Sequence, residues 1–329
     1  MPSRLAAIAG AALAFTAITI AITTAAPAQD FPNRPIRMVI AFPPGGPTDF
    51  VGRLVADKVK DVLGQPVIIE NKPGANGALG ADSVAKAAPD GYTLFLSTVG
   101  AVAITPHMRT DLPYDVLRDF APVTMVVGNT TVLVVRADSP IKSARELTAA
   151  AKEKPGQLAF ASTGVGSTTH LAMELYQTAA GIKFVHVPYR GAAPALTDLL
   201  GGQVVAFFAD VPVLMPQILA GKVRALAAAS GKRNPKLPDV PTLAEEGYAD
   251  TSSDNWYGLL APAKTPPAIV SKINDAFVKA INDPAVKQKL VDSGAVPVAD
   301  KPEAFGATLK AELDRWGKVV RDKGIKETN

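Results

Sequence analysis

Residues 36–49 read IRMVIAFPPGGPTD, an apolar strand that runs through two prolines and two glycines into the start of a helix. The first backbone N–H groups of a helix have no partner within it, and they lie at the positive end of the helix dipole. Such a point attracts anions. The arrangement recurs at residues 158–170, LAFASTGVGSTTH, where another strand leads into a Gly- and hydroxyl-rich loop. Two such sites in separate halves of the chain predict an anion held between two domains.

Short β-branched runs alternate with helical patterns on both sides of these loops. The runs that we predict to be strands lie at residues 36–42, 67–70, 93–97, 131–136, 158–161, 184–187, 204–209 and 223–229. Alternation of this kind predicts βαβ units and a parallel sheet covered by helices on both faces. We therefore predict an α/β fold with two lobes, whose ligand sites lie at the C-terminal ends of the strands.

The chain becomes wholly helical after residues 256–260. Its last helix carries five apolar residues on one face: Phe305, Leu309, Leu313, Trp316 and Val320. A helix with one apolar face packs against a core, and we expect these tail helices to return to the first lobe.

Composition excludes several classes of function. The chain has 329 residues, no cysteine and a formal net charge of +4. Without cysteine there are no disulfides, no thiolate catalysis and no Cys-ligated metal. Lysine and arginine are scattered, so neither a nucleic-acid groove nor a polybasic membrane patch is indicated. His107, His170 and His186 lack the spacing of metal ligands, and we expect neither a metal nor a cofactor.

The N-terminus has the pattern of a secretory signal peptide. Arg4 precedes an uncharged stretch over residues 5–24, and Ala26-Pro27-Ala28 supplies small residues around a cleavage site before Gln29. We predict that residues 1–28 are removed and that the mature protein is periplasmic. The alternative is a membrane anchor, since the stretch is long enough to span a thin bilayer.

The first loop suits a close approach of its backbone to a ligand. Gly45 and Gly46 place no Cβ in the way, and Pro43 and Pro44 stiffen the approach. The alternative is a plain strand-to-helix turn. Asp49 is the ambiguous residue, because its carboxylate could itself accept from the amides of the helix start and weaken an anion site.

The second loop is similar to a dinucleotide-binding turn at Gly164-Val165-Gly166, but Thr169 replaces the third glycine and the usual acidic residue is missing. We therefore expect no nucleotide. The loop offers neutral hydroxyl donors instead, which suit a carboxylate that must later be released: Ser162, Thr163, Ser167, Thr168 and Thr169. His170 at the helix start is a further candidate. Asp210 could be a buried site residue or could cap the helix that follows it.

Six motifs resemble, in order and spacing, those of the Bug receptors, the extracytoplasmic solute-binding proteins of tripartite tricarboxylate transporters. They are residues 42–49 (FPPGGPTD), 70–74 (ENKPG), 88–94 (APDGYTL), 164–167 (GVGS) with His170-Leu171, 186–191 (HVPYRG) and 237–242 (LPDVPT). The resemblance extends from about Pro35 to Trp316, nearly the whole mature chain.

The resemblance implies a type II periplasmic-binding-protein fold, in which two α/β domains joined by a hinge close on a ligand. We predict that residues 29–131 and 254–329 form the first domain and residues 132–253 the second. The resemblance also implies delivery of the ligand to a two-subunit membrane permease. We expect the receptor itself to be a monomer.

In the family, one ligand carboxylate lies between the two Gly-rich loops. Carried over to this sequence, the resemblance places Phe42, Gly46 and Thr48 on one wall. The opposite wall comprises Ser162, Gly166, Ser167, Thr168 and His170. The resemblance places Thr98 and Asp210 near the distal end of the ligand. The residues themselves add Asp49 and Thr163, and Arg190 is the nearest candidate for a second carboxylate.

These predictions give one preferred hypothesis and two alternatives. The preferred hypothesis is a receptor for a small organic acid that performs no catalysis. The first alternative is an exported enzyme that acts on a carboxylate with His170 and Asp210 as acid and base. The second is a soluble sensory module that presents its ligand to a signalling partner.

Overall fold

The computed structural model describes residues 31–325 of the chain. The predicted signal peptide therefore lies outside the described residues. Of the helices within residues 31–325, none combines the length and the apolarity needed to cross a membrane.

The β-branched and apolar runs form two sheets. Within the described chain the strands are β1 (Ile36–Ile40), β2 (Val67–Asn71), β3 (Thr93–Thr98), β4 (Phe120–Asn129), β5 (Thr131–Arg136), β6 (Ala159–Ser162), β7 (Val185–Pro188), β8 (Ala206–Asp210), β9 (Val223–Ala228), β10 (Asn255–Pro262) and β11 (Val296–Pro297). The first sheet has the order β11-β4-β10-β3-β1-β2, and the second has the order β7-β6-β8-β5-β9. In each sheet a strand that ends at a predicted loop, β1 or β6, pairs in parallel with both neighbours.

Both sheets are mixed, which corrects the prediction of parallel sheets. β10 runs antiparallel to β3 and β4, and β5 runs antiparallel to β8 and β9. A helical crossover is needed only between parallel neighbours, and β10 enters the first sheet from the second without one. The sequence reading also missed β4, whose apolar pattern is interrupted by Pro122, Thr124 and Gly128.

Residues with known cap preferences set the ends of several helices. They are α1 (Pro47–Leu63), α2 (Ala78–Ala85), α3 (Thr105–Met108), α4 (Val116–Asp119), α5 (Ala144–Glu153), α6 (Thr168–Ala180), α7 (Ala192–Leu200), α8 (Val211–Leu219), α9 (Pro267–Ile281), α10 (Pro284–Ser293) and α11 (Pro302–Lys323). Pro47 is the first residue of α1, and Gly64 ends that helix at a left-handed φ of 71°. Ser143 caps α5 by accepting from the Glu146 amide.

Apolar burial joins the tail to the first sheet. The apolar face of α11, with Phe305 and Trp316 fully buried, belongs to one core cluster with Val39 of β1 and Phe95 of β3. Leu171 of α6 enters this same cluster, so the start of α6 packs against the first sheet. The second sheet is covered on both faces, since its strands contribute to two further clusters.

The chain passes from the first sheet to the second between Asn129 and Thr131, and it returns before Asn255. These two passages lie close to the domain boundaries expected from the sequence, which remain a prediction. The architecture is therefore two mixed sheets, each packed with helices, that the chain connects at two places.

Candidate functional site

A cleft lies where the C-terminal ends of four strands meet the residues that follow them. Its walls include Phe42 after β1, Thr98 at the end of β3, Thr163 after β6 and Asp210 at the end of β8. The cleft opens to solvent. Small-molecule sites in proteins are concave clefts of this kind.

The structure separates the predicted site residues into two groups. Those that line the cleft are Phe42, Gly46, Thr48, Thr98, Thr163, Ser167, Thr168 and Asp210. Asp49, Ser162, Gly166 and His170 are not among its lining residues. The contacts of these four residues show that they hold the two loops in place.

Asp49 braces the first loop. Its Oδ2 accepts from the Gly45 amide at 2.9 Å and from Arg53 Nε at 2.9 Å. Its Oδ1 accepts from Asn71 Nδ2 at 3.0 Å, and the same Asn71 nitrogen donates to the Phe42 carbonyl. Burial alone would raise the pKa of Asp49, but the hydrogen bonds from Arg53, Gly45 and Asn71 outweigh it and hold that pKa below its ordinary value. Asp49 is therefore ionised, and its hydrogen bonds connect the first loop to α1 through Arg53 and to β2 through Asn71.

Because these groups occupy the carboxylate of Asp49, it does not accept from the backbone amides in the first turn of α1. The N-cap residue is Gly46, which has no side chain to accept from the first turn, and Pro47 carries no N–H. Within residues 31–325, the amide of Thr48 has no protein acceptor. A buried donor of this kind is available to a ligand.

The hydroxyls of the second loop bond mainly to one another. Ser167 Oγ accepts from the His170 amide at 3.2 Å and donates to the Gly164 carbonyl at 2.7 Å. Thr169 Oγ1 accepts from the Thr163 amide at 2.9 Å and lies 2.9 Å from Ser167 Oγ. These bonds fix the loop and cap α6. In the described chain the amides of Thr168 and Thr169 lack a protein acceptor, as at the start of α1.

His170 supports the second loop from behind. Its ring stacks on that of His186 with centroids 4.2 Å apart and planes 6° apart. His170 Nδ1 accepts from the Gly166 amide at 3.2 Å, and His186 Nε2 lies 2.6 Å from Ser162 Oγ. Burial, with a smaller contribution from His186, lowers the pKa of His170 to about 3, and burial lowers that of His186 to about 4. Both rings are therefore neutral at pH 7.

Asp210 is a buried acid that connects the two sheets at the cleft. Its Oδ2 accepts from Tyr257 and from Asn255 Nδ2, both at 2.8 Å, and its Oδ1 accepts from Thr131 Oγ1 at 3.3 Å. Burial raises the pKa of Asp210 to about 6 despite these three donors.

Asn76 is a cleft residue that the sequence analysis missed. Its Nδ2 donates to the Gly166 carbonyl of the second loop at 2.7 Å and to Thr105 Oγ1 at 3.0 Å. It adopts a left-handed φ of 47° beside Ala75, which has a φ of 46°. Strained backbone of this kind clusters at ligand sites. The available signal was the Gly74-Ala75-Asn76-Gly77 turn, where Asn tolerates positive φ.

Further lining residues carried no local signal in the sequence. Asn255 and Tyr257 begin a buried strand that read only as an apolar run, and the start of α7 was not singled out. The lining residues missed by the sequence analysis include Asn76, Gly100, Gly191, Ala192, Ala193, Pro194, Val213, Asn255 and Tyr257. Arg190, noted from the sequence, is part of the lining.

The arrangement supplies donors for an anion and does not assemble an acid–base pair. His170 lies behind the second loop while Asp210 lines the cleft, so the two groups do not share one surface. Among residues 31–325, no three His, Asp or Glu side chains are grouped to hold a metal ion.

Known proteins with the same architecture give this geometry a context. A family model described as "Tripartite tricarboxylate transporter family receptor" matches residues 51–325. The chain is similar to Protein BugT of Bordetella pertussis, at 39% identity over 325 residues and 98% of each chain. It is also similar to a solved R. palustris protein with adipate, at 34% identity and a TM-score of 0.86 over 90% of this chain and 99% of that one. The chain is likewise similar to MatC from Rhodopseudomonas palustris, solved with bound malate, at 35% identity and a TM-score of 0.83. That match covers 88% of this chain and 100% of MatC.

Proposed function

The chain belongs to the receptor family of tripartite tricarboxylate transporters, and we propose that it captures a small organic acid between its two Gly-rich loops. Members of this family are solute-binding proteins of the periplasm. Adipate and malate, the acids bound in two relatives, are both carboxylates. We propose the same chemical class for the ligand of this chain.

The observation that carries the proposal is the convergence of free amides from two helix starts. Thr48 of α1 and Thr168 and Thr169 of α6 all line the cleft, and their amides have no acceptor among residues 31–325. One charge-assisted hydrogen bond contributes roughly 1.5–3 kcal/mol, and a micromolar Kd corresponds to about 8 kcal/mol. Three amides and two helix dipoles supply a large part of that free energy without an ion pair that would slow release.

Transport completes the proposal. We infer that residues 29–131 with 254–329 and residues 132–253 are the two domains that close on the acid. The hinge would lie where the chain passes between the sheets, near Thr130 and Asp254. The closed receptor would then deliver its ligand in the periplasm to a two-subunit membrane permease. We infer that the receptor holds its ligand by hydrogen bonds and performs no covalent step.

Removing one free amide tests the proposal. Thr168 is the first residue of α6, a position that proline favours because its missing N–H has no partner within the helix. Thr168→Pro is therefore expected to preserve the helix but weaken carboxylate binding by about 10- to 100-fold, the loss of one charge-assisted bond. Titration calorimetry with malate, adipate, citrate, benzoate and glutamate would measure the change.

Thr168→Val is the matched control, because it removes the hydroxyl and keeps the amide. Thr168→Pro also removes the hydroxyl, which lines the cleft and is available to the ligand, so Thr168→Val measures the share of the hydroxyl and should weaken binding less than Thr168→Pro does. Equal losses in the two variants would show that the amide is not the donor. A wild-type protein that binds none of the five acids would contradict the proposed function.

The buried acid in the cleft predicts a pH dependence of binding. Because burial raises the pKa of Asp210 to about 6, this group is ionised at about pH 8 and mostly neutral at about pH 5.5. Ionised Asp210 repels a ligand carboxylate by about 2 kcal/mol for unit charges some 8 Å apart at an effective dielectric constant near 20. Binding therefore takes up a proton, and the affinity should rise about ten-fold as pH falls across this range.

Asp210→Asn should have the same Kd at both ends of that pH range, and this Kd should equal the lower one that the wild type reaches at about pH 5.5. The asparagine oxygen can still accept from Tyr257 and Asn255, and its amide can donate to Thr131. Asp300 is the control: burial raises its pKa as well, but it is not a lining residue. Asp300→Asn should keep the wild-type dependence, and a dependence that survives in Asp210→Asn would refute this assignment.

A further inference from the structure

Arg190 combines a fixed backbone with a free guanidinium. The flanking amides of Tyr189 and Gly191 donate to the carbonyls of Ser162 and Thr163 at 3.0 and 3.2 Å. Tyr189 is held further by its phenol, which donates to Asp198 Oδ2 at 2.7 Å. The Arg190 side chain is exposed and has no hydrogen-bond or ion-pair partner in residues 31–325. Its stem is therefore positioned while its charge remains available.

This state is unusual for an arginine of this chain. Apart from Arg321, every other described arginine makes a hydrogen bond or an ion pair. Arg321 lies near the end of α11 and does not line the cleft. Arg190 is thus an unpaired arginine located at a ligand cleft.

The cleft has a simple distribution of charge. Its charged lining residues within the described chain are Arg190 and Asp210. Asp210 connects the two sheets and repels a carboxylate when it is ionised, so it cannot hold a second acidic group. The wall next to Arg190 consists of Gly191, Ala192, Ala193 and Pro194, which offers apolar contact. Gly191 lies opposite Pro43, since a Cβ on Gly191 would be 4.0 Å from Pro43 Cδ.

We propose that Arg190 binds a second carboxylate of the ligand, so that the receptor selects small dicarboxylates with an apolar spacer over monocarboxylates of equal length. This inference rests on the proposed function, which places the first carboxylate at the amides of Thr48, Thr168 and Thr169. The spacer lies along the alanines and prolines of the cleft. The guanidinium matches the planar carboxylate through two parallel N–H donors. A third carboxylate, as in citrate, would find no further cation in the lining.

Paired acids of equal length test this assignment. Adipate with hexanoate and succinate with butyrate differ only by the second carboxylate, and their Kd values would be measured on the wild type and on Arg190→Gln. The wild type should prefer the better-fitting dicarboxylate to its partner by about 10- to 100-fold, the effect of one charge-assisted contact. Arg190→Gln should lose that preference while its Kd for the monocarboxylate changes less than about two-fold. Arg190→Lys should keep part of the preference, because the charge remains without the bidentate geometry.

Arg321→Gln is the matched control, since it removes the other unpaired arginine away from the cleft and should leave both Kd values unchanged. Equal losses for both acids of a pair in Arg190→Gln would mean that Arg190 only shapes the loop, and this would overturn the proposal. An unchanged preference would overturn it as well. If the wild type binds monocarboxylates but does not prefer dicarboxylates, this inference fails and the proposed function stands. If it binds none of the four acids or those of the wider panel, both fail.

Discussion

Gly46→Trp is expected to raise the Kd for carboxylates more than 100-fold, a loss of about 2.7 kcal/mol or more, while the fold stays intact. Gly46 has an extended backbone with φ −80° and ψ 172°, which any residue can adopt. An added Cβ would meet the Pro43 carbonyl oxygen at 3.5 Å, an ordinary contact. The substitution therefore adds bulk without backbone strain.

The indole would lie in the cleft or in the apolar groove beside it, because Gly46 lines both. Ala192 and Ala193 form the facing wall of both spaces. In either position the ring occupies the gap between the start of α1 and the start of α7, so the two walls cannot approach around a ligand. Calorimetry and a thermal melt together would separate loss of binding from loss of fold.

Gly231→Trp provides the control for added aromatic bulk. Gly231 has no atom within 4 Å of its added Cβ and does not line the cleft. This variant should bind as the wild type does. Wild-type affinity in Gly46→Trp would mean that the ligand does not enter between the two loops.

The strand–loop–helix units were predictable because their signals are local. β1 ends at Ile40 and α1 begins at Pro47, while β6 ends at Ser162 and α6 begins at Thr168. Proline at a first helical position and hydroxyls at a cap require no knowledge of distant residues. The family resemblance read from the motifs is confirmed by the family model and by BugT.

The support behind the loops was not predictable, because it depends on strand register. His170 stacks on His186 since β7 places His186 opposite Phe160 of β6. Asp49 meets Asn71 since β2 places Asn71 opposite Ile40 of β1. Sequence alone specifies neither register, so His170 read as a ligand contact and Asp49 stayed ambiguous.

The contacts at the start of β10 were likewise not predictable from the sequence. Tyr257 reaches Asp210 because the chain returns from the second sheet and β10 pairs antiparallel with β3, which places Tyr257 opposite Thr98. The alternating pattern indicated parallel strands only, so this antiparallel insertion and its polar residues were missed. The contribution of β10 to the cleft depends on how it packs against the tail helix.

Gly258→Ala is accordingly expected to destabilise the protein by about 3 kcal/mol, at the upper end of the usual cost of overpacking. A Cβ on Gly258 of β10 would lie 2.1 Å from Phe305 Cζ, with Cε2 and Cε1 at 2.8 and 2.9 Å. Phe305 is fully buried on α11, and its ring packs edge-on against Trp256 at 5.2 Å. Because the ring is fully buried, either it or α11 must shift to make room for the methyl group. Urea unfolding would measure the change.

Gly128→Ala on the adjacent strand β4 separates overpacking from the effect of adding a methyl group to a glycine. Nothing lies within 4 Å of its added Cβ, so its free energy of unfolding should change by less than about 1 kcal/mol. Phe305→Leu should lower the cost of Gly258→Ala in a double-mutant cycle, because removing the ring frees the space that the methyl group needs. Additive losses in that cycle would mean that α11 does not dock on β10 through this contact. In that case α11 would not help to position Tyr257, and variants that weaken the packing of α11 would bind the ligand with the wild-type Kd.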